Sequence, residues 1–234
     1  MPVFELTSRI SFPPPEFADR SGLLAMGGGL ESKRLLLAYR TGIFPWYDNS
    51  TPILWWSPDP RMVLFVKNFH IPKSLKKKIR QNHFKVTMDK SFEAVITECA
   101  YSRARNGEET WITDELIDAY TRLHNLGYAH SVEVWSDNEL AGGLYGVSLG
   151  RVFFGESMFT KIDDASKVGF AYLVKQLEKW NFPLIDCQVA TDNLSRFNAE
   201  EISRKDFLKI IARYLDNYSD AVGKWEFDKD LKLI

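Results

Sequence analysis

The 234 residues suffice for one large or two small domains, and a 45% hydrophobic content can fill a sizeable core. A balance of 30 Lys+Arg against 31 Asp+Glu leaves a formal charge of −1, which excludes a globally basic nucleic-acid binder and confines any such contact to a local patch. Cys99 and Cys187 are the two cysteines; they exclude a disulfide scaffold and a cysteine-built zinc site, and fit a reducing compartment.

The opening MPVFELTSRI has neither the basic start nor the long apolar core of a signal peptide, and no apolar run approaches a membrane span. A cytoplasmic protein is expected. Pro13-Pro14-Pro15 forbids helix and favours an extended path, so residues 1–31 are expected to hold few regular elements. AMGGGL at 25–30 reads as a glycine turn before a helix. It lacks the GK[ST] ending of a phosphate loop and does not match GxGxxG. Ser32 is placed to cap a short helix, 33–40, that stops at Gly42. Then GIFPWYDNSTPILWWSPDPR sets Trp46, Trp55 and Trp56 among four prolines. Such a rigid aromatic stretch either packs a helix-poor domain or offers flat faces on which a nucleobase stacks.

Residues 61–66 read as a strand that opens a second domain, dividing the chain into 1–62 and 63–234. In HIPKSLKKKIRQ, Ile71, Leu75 and Ile79 share one helical face. Lys73, Lys76, Lys77, Lys78 and Arg80 cover the rest with no acid among them, a local field suited to phosphates. A short strand follows at 84–88. Ser91 is placed to cap a helix with Phe92, Val95, Ile96 and Cys99 on one face, so Cys99 reads as core. Thr113 is placed to cap the helix 114–126, which puts Trp111 in the loop just ahead of it.

Residues 130–136, 140–148 and 151–155 predict an antiparallel meander, with turns at Asp137-Asn138 and Leu149-Gly150. His130 reads as a strand residue, since no HExxH-type pairing exists among the four histidines. Gly142, Gly143 and Gly146 inside one strand point to a bulge or a close approach. Glu156 ends the apolar strand 152–154 amid Phe153, Met158 and Phe159, where a carboxylate needs a partner or a cleft. Asp163 or Asp164 is placed to cap a helix over 165–180. In LIDCQV the pleat puts Ile185, Cys187 and Val189 on one face and Leu184, Asp186 and Gln188 on the other. Cys187 is therefore expected in the core and inert, with Asp186 and Gln188 pointing together into a cleft. Ser203-x-x-Asp206 opens the last main helix, to about Leu215.

The order strand, two helices, three-strand meander, helix, strand, helix resembles the GCN5-related N-acetyltransferase (GNAT) fold. That resemblance implies an α+β class, with a mostly antiparallel mixed sheet flanked by helices. Members that use acetyl-CoA carry a glycine loop for its pyrophosphate. This chain has TKIDDASK there, with no glycine and two acids, which argues against the rival reading of an acyl-CoA-dependent N-acetyltransferase.

The set GLLAMGGGL, LLLAYRTGIFPWY, ILWWSPDPR, TWIT, AYTRLHNLGYAHSVEVW, GGLYGV, FFGESMF, ASK and LIDCQV resembles, in that order, the leucyl/phenylalanyl-tRNA–protein transferase family. The resemblance covers nearly the whole chain. It implies transfer of Leu or Phe, with Met as a further candidate, from aminoacyl-tRNA to the N-terminal Arg or Lys of a protein, creating a degradation signal. It implies no metal or other cofactor, because the ester is already activated, and a monomer is expected. By resemblance Asp186 and Gln188 orient the amine and help to remove its proton, and Glu156 holds cationic groups of the substrate. Leu144, Phe153, Met158 and Phe170 form the side-chain pocket. Trp46 and Trp111, with Tyr39 and Tyr120 nearby, clamp the terminal adenosine, and Lys73 to Arg80 lies along the acceptor stem.

The family pattern after LIDCQV is close to N-x-H-L-x-S-L-G-A, whereas this chain reads TDNLSRFNA over 191–199. Loss of the His removes a titratable group, and Arg196 adds a cation. A related aminoacyl-tRNA-dependent transferase that accepts acidic N-termini is therefore a second expectation. A non-catalytic tRNA-binding module and a tRNA-dependent peptidyl transferase are further rivals.

Overall fold

A computed structural model describes residues 3–105, 110–220 and 222–234. The aromatic, proline-rich start of the chain makes four short strands: β1 (Phe4–Leu6), β2 (Leu23–Gly27), β3 (Phe44–Pro45) and β4 (Leu54–Trp56), in the order β1-β2-β4-β3. β1 lies parallel to β2, and the remaining pairs are antiparallel. Residues 3–31 thus hold more structure than their prolines suggested. The glycine stretch is part strand: Ala25 to Gly27 close β2, and the turn follows from positive φ at Gly27 and Gly28. Trp55 sits on β4 rather than in a loop. It is fully buried, and its indole N–H donates to the Gly27 carbonyl at 2.9 Å. α1 (Ser32–Arg40) follows β2 in sequence; its N-cap is Glu31, one residue before the expected Ser32.

Seven strands build the second sheet. They are β5 (Arg61–Phe65), β6 (Lys85–Met88), β7 (Ala129–Ser136), β8 (Glu139–Leu149), β9 (Val152–Thr160), β10 (Leu184–Gln188) and β11 (Glu200–Ile202). Their order is β11-β5-β10-β9-β8-β7-β6, with β10 parallel to β9 and the other neighbours antiparallel. Asp137 and Asn138, both at positive φ, make the tight turn between β7 and β8. Six helices accompany the sheet: α2 (Lys73–Gln81), α3 (Phe92–Arg105), α4 (Asp114–Asn125), α5 (Ala165–Lys179), the short α6 (Asp192–Ser195) and α7 (Arg204–Asp216). The class is α+β.

Local rules explain most helix ends. The Thr113 hydroxyl accepts the Leu116 N–H and the Ser203 hydroxyl accepts the Asp206 N–H. Asp164 departs from expectation. It occupies the N-cap position of α5 at φ +68 without a capping bond, and its carboxylate pairs with Lys167 at 2.7 Å.

Alternation along the central strands divides the core. Phe154 and Leu184 face one side with Val95, Leu116, Tyr145 and Phe207, and this cluster is continuous with Tyr39 and Trp55 of the N-terminal sheet. Phe153 and Ile185 face the other side with Leu144, Phe170, Leu177 and Trp225. The amphipathic α2 rests Leu75 on this second layer and keeps Lys73, Lys77 and Arg80 toward solvent. His130 ties down the chain's last segment: its ring stacks on Trp225 at 3.7 Å, and its Nδ1 meets Asp89 at 2.8 Å. Burial lowers the His130 pKa, against the raising effect of Asp89. Among the described residues no helix is long and apolar enough to cross a membrane.

Candidate active site

Two bulges on adjacent strands create the site. On β9, Ser157 pairs with Tyr145 and Gly155 with Gly146, so Glu156 is the extra residue of the ladder. Gly146 is required there: a Cβ would lie 2.3 Å from the Phe154 carbonyl oxygen and 2.6 Å from the Phe153 ring. On β10, Asp186 pairs with Val63 and Gln188 with Met62, so Cys187 is the extra residue and Gln188 takes φ +63. The two bulges aim Glu156 and Gln188 at each other. The Gln188 Nε2 donates to Glu156 Oε1 at 2.7 Å.

The β10 bulge also overturns the simple alternation. Asp186 does not share a cleft face with Gln188. It is fully buried and held by Arg61, whose Nε and terminal NH2 donate to Oδ1 at 2.8 Å and Oδ2 at 2.6 Å. The Gln188 backbone N–H also donates to Oδ1, at 3.0 Å. Arg61 itself is buried between the rings of Phe44 and Phe207, at 4.7 and 4.6 Å, and donates to the Gly42 carbonyl. Cys187 is half-buried and faces a cavity instead of lying wholly in the core. Burial and the neighbouring Asp186 charge still push its thiol well above the ordinary value, which leaves it a poor nucleophile.

Glu156 is wrapped in hydroxyls. The Tyr39 hydroxyl from α1 meets Oε1 at 2.8 Å and the Tyr120 hydroxyl from α4 meets Oε2 at 2.9 Å, and the two tyrosine hydroxyls also touch each other. Removal from water pushes the Glu156 pKa up to about 7 against the lowering effect of these donors. Tyr39 and Tyr120 are themselves almost wholly buried, so their rings have no face free to stack on a base. Their place beside the tryptophans is taken up in holding the carboxyl group.

The cavity measures about 490 Å³ and collects most of the expected site residues. Leu144, Phe153, Met158 and Phe170 line its apolar part, joined by Ile185 and Cys187, which alternation had put on the face away from the cleft, and by Phe197. Trp46 and Trp111 line it as well; Trp46 is 40% exposed and Trp111 half-buried. Glu156, Gln188 and Lys167 supply polar groups. Asp186, Tyr39 and Tyr120 lie behind this lining, and the cationic side of α2 is not part of it. Thr191, Asn193 and Leu194 reach the cavity, whereas the exposed Arg196 does not. The signal for Phe197 was its apolar side chain in an otherwise polar run; the signal for Arg61 was a cation opening an apolar strand.

Residues 63–212 match the family model described as leucyl/phenylalanyl-tRNA protein transferase, and residues 28–59 match that family's N-terminal domain. The chain belongs to this transferase family. A leucyl/phenylalanyl-tRNA–protein transferase from Syntrophobacter fumaroxidans is 57% identical over 228 residues, 97% of this chain and 96% of that one. One from Anaeromyxobacter sp. strain Fw109-5 is 53% identical over 229 residues, 97% of each. A solved structure described as that of L-PGS from Bacillus licheniformis aligns with 83% of this chain and 71% of its own, at 8% identity and a TM-score of 0.43, too loose a likeness to argue from. For a transferase of this family, the cavity brings an apolar pocket, two accessible tryptophans and a carboxyl–carboxamide pair into one lining.

Proposed function

We propose that the chain transfers Leu or Phe from aminoacyl-tRNA to the N-terminal Arg or Lys of an acceptor protein, as an aminoacyltransferase of the cytoplasm acting as a monomer. One observation carries the reading: in a chain of this family, Trp46 and Trp111 share a single cavity with the apolar side chains and with the Glu156–Gln188 pair. The terminal adenine stacks between the tryptophans, where each stacked base contributes about 1–3 kcal/mol. The Leu or Phe side chain enters the pocket of Leu144, Phe153, Met158 and Phe170. A cavity of about 490 Å³ suits this small end of the tRNA, and the acceptor stem runs outside along Lys73, Lys76, Lys77, Lys78 and Arg80. Those cations contact phosphates and read no sequence. We read the larger sheet with its helices as a GNAT-like arrangement put to this use.

The chemistry is aminolysis of an ester. The amine nitrogen of the acceptor attacks the ester carbonyl carbon, a C–N bond forms, the C–O bond to the ribose breaks, and a proton passes from nitrogen to the ribose oxygen. Positioning supplies much of the rate, because the ester is already activated. Gln188 lines the cavity and orients the amine. Asp186 acts from behind, fixing the Gln188 backbone through its N–H and sharing the charge of Arg61. The test is transfer of labelled Leu from Leu-tRNA to matched peptides beginning with Arg, Lys, Asp, Glu or Ala. Labelling confined to Arg and Lys is expected. Labelling of Asp or Glu peptides would replace the acceptor assignment. No labelling of any peptide would overturn the transfer reading.

A further inference from the structure

Glu156, Tyr39 and Tyr120 pose a proton-counting problem. Three oxygen-to-oxygen contacts close a ring: Tyr39 to Glu156 Oε1, Glu156 Oε2 to Tyr120, and Tyr120 to Tyr39. Each contact needs one proton, and the two phenols bring two. If Glu156 is ionised, one contact has lone pairs facing each other with nothing between them, whichever way the hydroxyls turn. Gln188 cannot fill the gap, since its N–H serves a separate contact on Oε1.

We propose that Glu156 is a neutral carboxylic acid in the resting protein, its proton completing a three-hydrogen ring with Tyr39 and Tyr120, and that this ring is the device that positions the Gln188 carboxamide. The acid O–H on Oε2 donates to Tyr120, Tyr120 donates to Tyr39, and Tyr39 donates to Oε1. Oε1 is then the carbonyl-type oxygen, and its two lone pairs are taken by Tyr39 and Gln188. With its –NH2 committed to Oε1, Gln188 keeps its own carbonyl oxygen for the N–H of an incoming amine. That last step rests on the transfer reading above; the protonation of the ring does not.

The surroundings favour the neutral acid. Burial penalises a charge on Glu156 and raises its pKa to about 7. Tyr145 from β8 adds a third phenol, itself raised well above its ordinary value, with a buried hydroxyl that finds no hydrogen-bond partner. From β10, the Asp186 charge raises the Glu156 pKa further, although Arg61 from β5 is paired to it. Cys187 on the same strand is an un-ionised thiol. Lys167, from α5, lines the same cavity and is paired with Asp164. Glu156 is thus surrounded by neutral donors and, among the described residues, has no ion-pair partner.

The experiment is a pH titration of the whole protein labelled with 13C at the glutamate carboxyls, the Glu156 signal being identified by its loss in Glu156→Gln. The wild type is expected to hold its proton at pH 6 and to titrate near 7. A midpoint near the ordinary glutamate value would overturn the proposal. Tyr39→Phe takes away a donor that by itself lowers the Glu156 pKa, but it also opens the ring, so ionisation no longer strands an unprotonated contact; the ring requires the midpoint to fall. A rise would mean that Tyr39 is a plain donor to a carboxylate, and would also overturn it. Tyr120→Phe gives the same sign through the other side of the ring if the first variant folds poorly. In the transfer assay Tyr39→Phe should lower kcat about tenfold and leave KM for aminoacyl-tRNA within about twofold. A loss confined to KM would remove the positioning role. The titration needs no tRNA, so an inactive wild type would sink the transfer reading without touching the ring.

Discussion

Two buried carboxyl groups stand on neighbouring strands, Glu156 on β9 and Asp186 on β10, and they are treated in opposite ways. Asp186 receives a two-pronged guanidinium contact and a backbone N–H, all from groups with fixed charge or fixed direction. Glu156 receives two phenols and a carboxamide, none of them charged. Both carboxyls are satisfied in the hydrogen-bond sense, yet one environment supplies a countercharge and the other does not. Depth alone does not set the state of an acid; the kind of donor that replaces water does. The fold thereby obtains a guanidinium–carboxylate pair beneath the cavity and a carboxyl group held by uncharged donors at its wall.

The contrast breaks most visibly at Asp186. Asp186→Ala strands Arg61 in the interior, and the expected loss is about 3–5 kcal/mol of folding stability, read by urea unfolding. A loss below about 1 kcal/mol would mean that the ion pair contributes little and that Asp186 is freer than its burial indicates. Glu156 should respond to pH instead. Its folded pKa of about 7 lies above the ordinary glutamate value of 4.5, so the folded form binds the proton more tightly. Its contribution to stability is fully present below pH 4.5 and is lost as pH rises through 7, at a cost of about 3 kcal/mol. Glu156→Gln removes that dependence, so unfolding at pH 5 and pH 8 should show the variant gaining on the wild type only at the higher pH. An equal effect at both values would break the comparison from the other side.

Smaller effects sharpen it, because they involve no buried charge. Trp111→Ala should weaken binding of an aminoacyl-adenosine by about 1–3 kcal/mol in calorimetry, with little change in its pH dependence. Replacing Lys76, Lys77 and Lys78 by Ala should weaken tRNA binding and flatten its salt dependence, by about 0.9 in the log–log slope for each phosphate that is no longer neutralised. The smallest effect expected is at Cys187. Maleimide labelling at pH 7 should be slow even though the residue lines the cavity, because its raised pKa leaves very little thiolate.

Much of the scaffold was legible because its signals are local. The spacing of Leu75 and Ile79, the caps at Thr113 and Ser203, and the Asp137-Asn138 turn each depend on a few neighbouring residues. The bulges were legible in part. The glycines of β8 announced a close approach near Gly146, but nothing local to LIDCQV announces that Cys187 falls out of register. That depends on which residue of β5 lies opposite, a matter of pairing between distant segments. The same holds for Arg61, whose partners Asp186, Phe44 and Phe207 come from three separate parts of the chain. Tyr39 and Tyr120 were grouped with the tryptophans as aromatics, and the structure uses their hydroxyls. Of the cavity wall, the apolar residues around Glu156 could be found by proximity in sequence. Phe197 could not, because it arrives from a loop beyond β10.

Arg61 has a mechanical consequence. It touches the Gly42 carbonyl and Phe44 in the N-terminal part, Asp186 in the large sheet and Phe207 in the last long helix. Hinging the N-terminal sheet away would strip the Phe44 ring and the Gly42 carbonyl from the guanidinium, while Asp186 and Phe207 would stay with it. The N-terminal part is thus pinned to the larger sheet in part through one face of a single buried guanidinium, so a change at Phe44 would be felt at the Asp186 pair beneath the cavity.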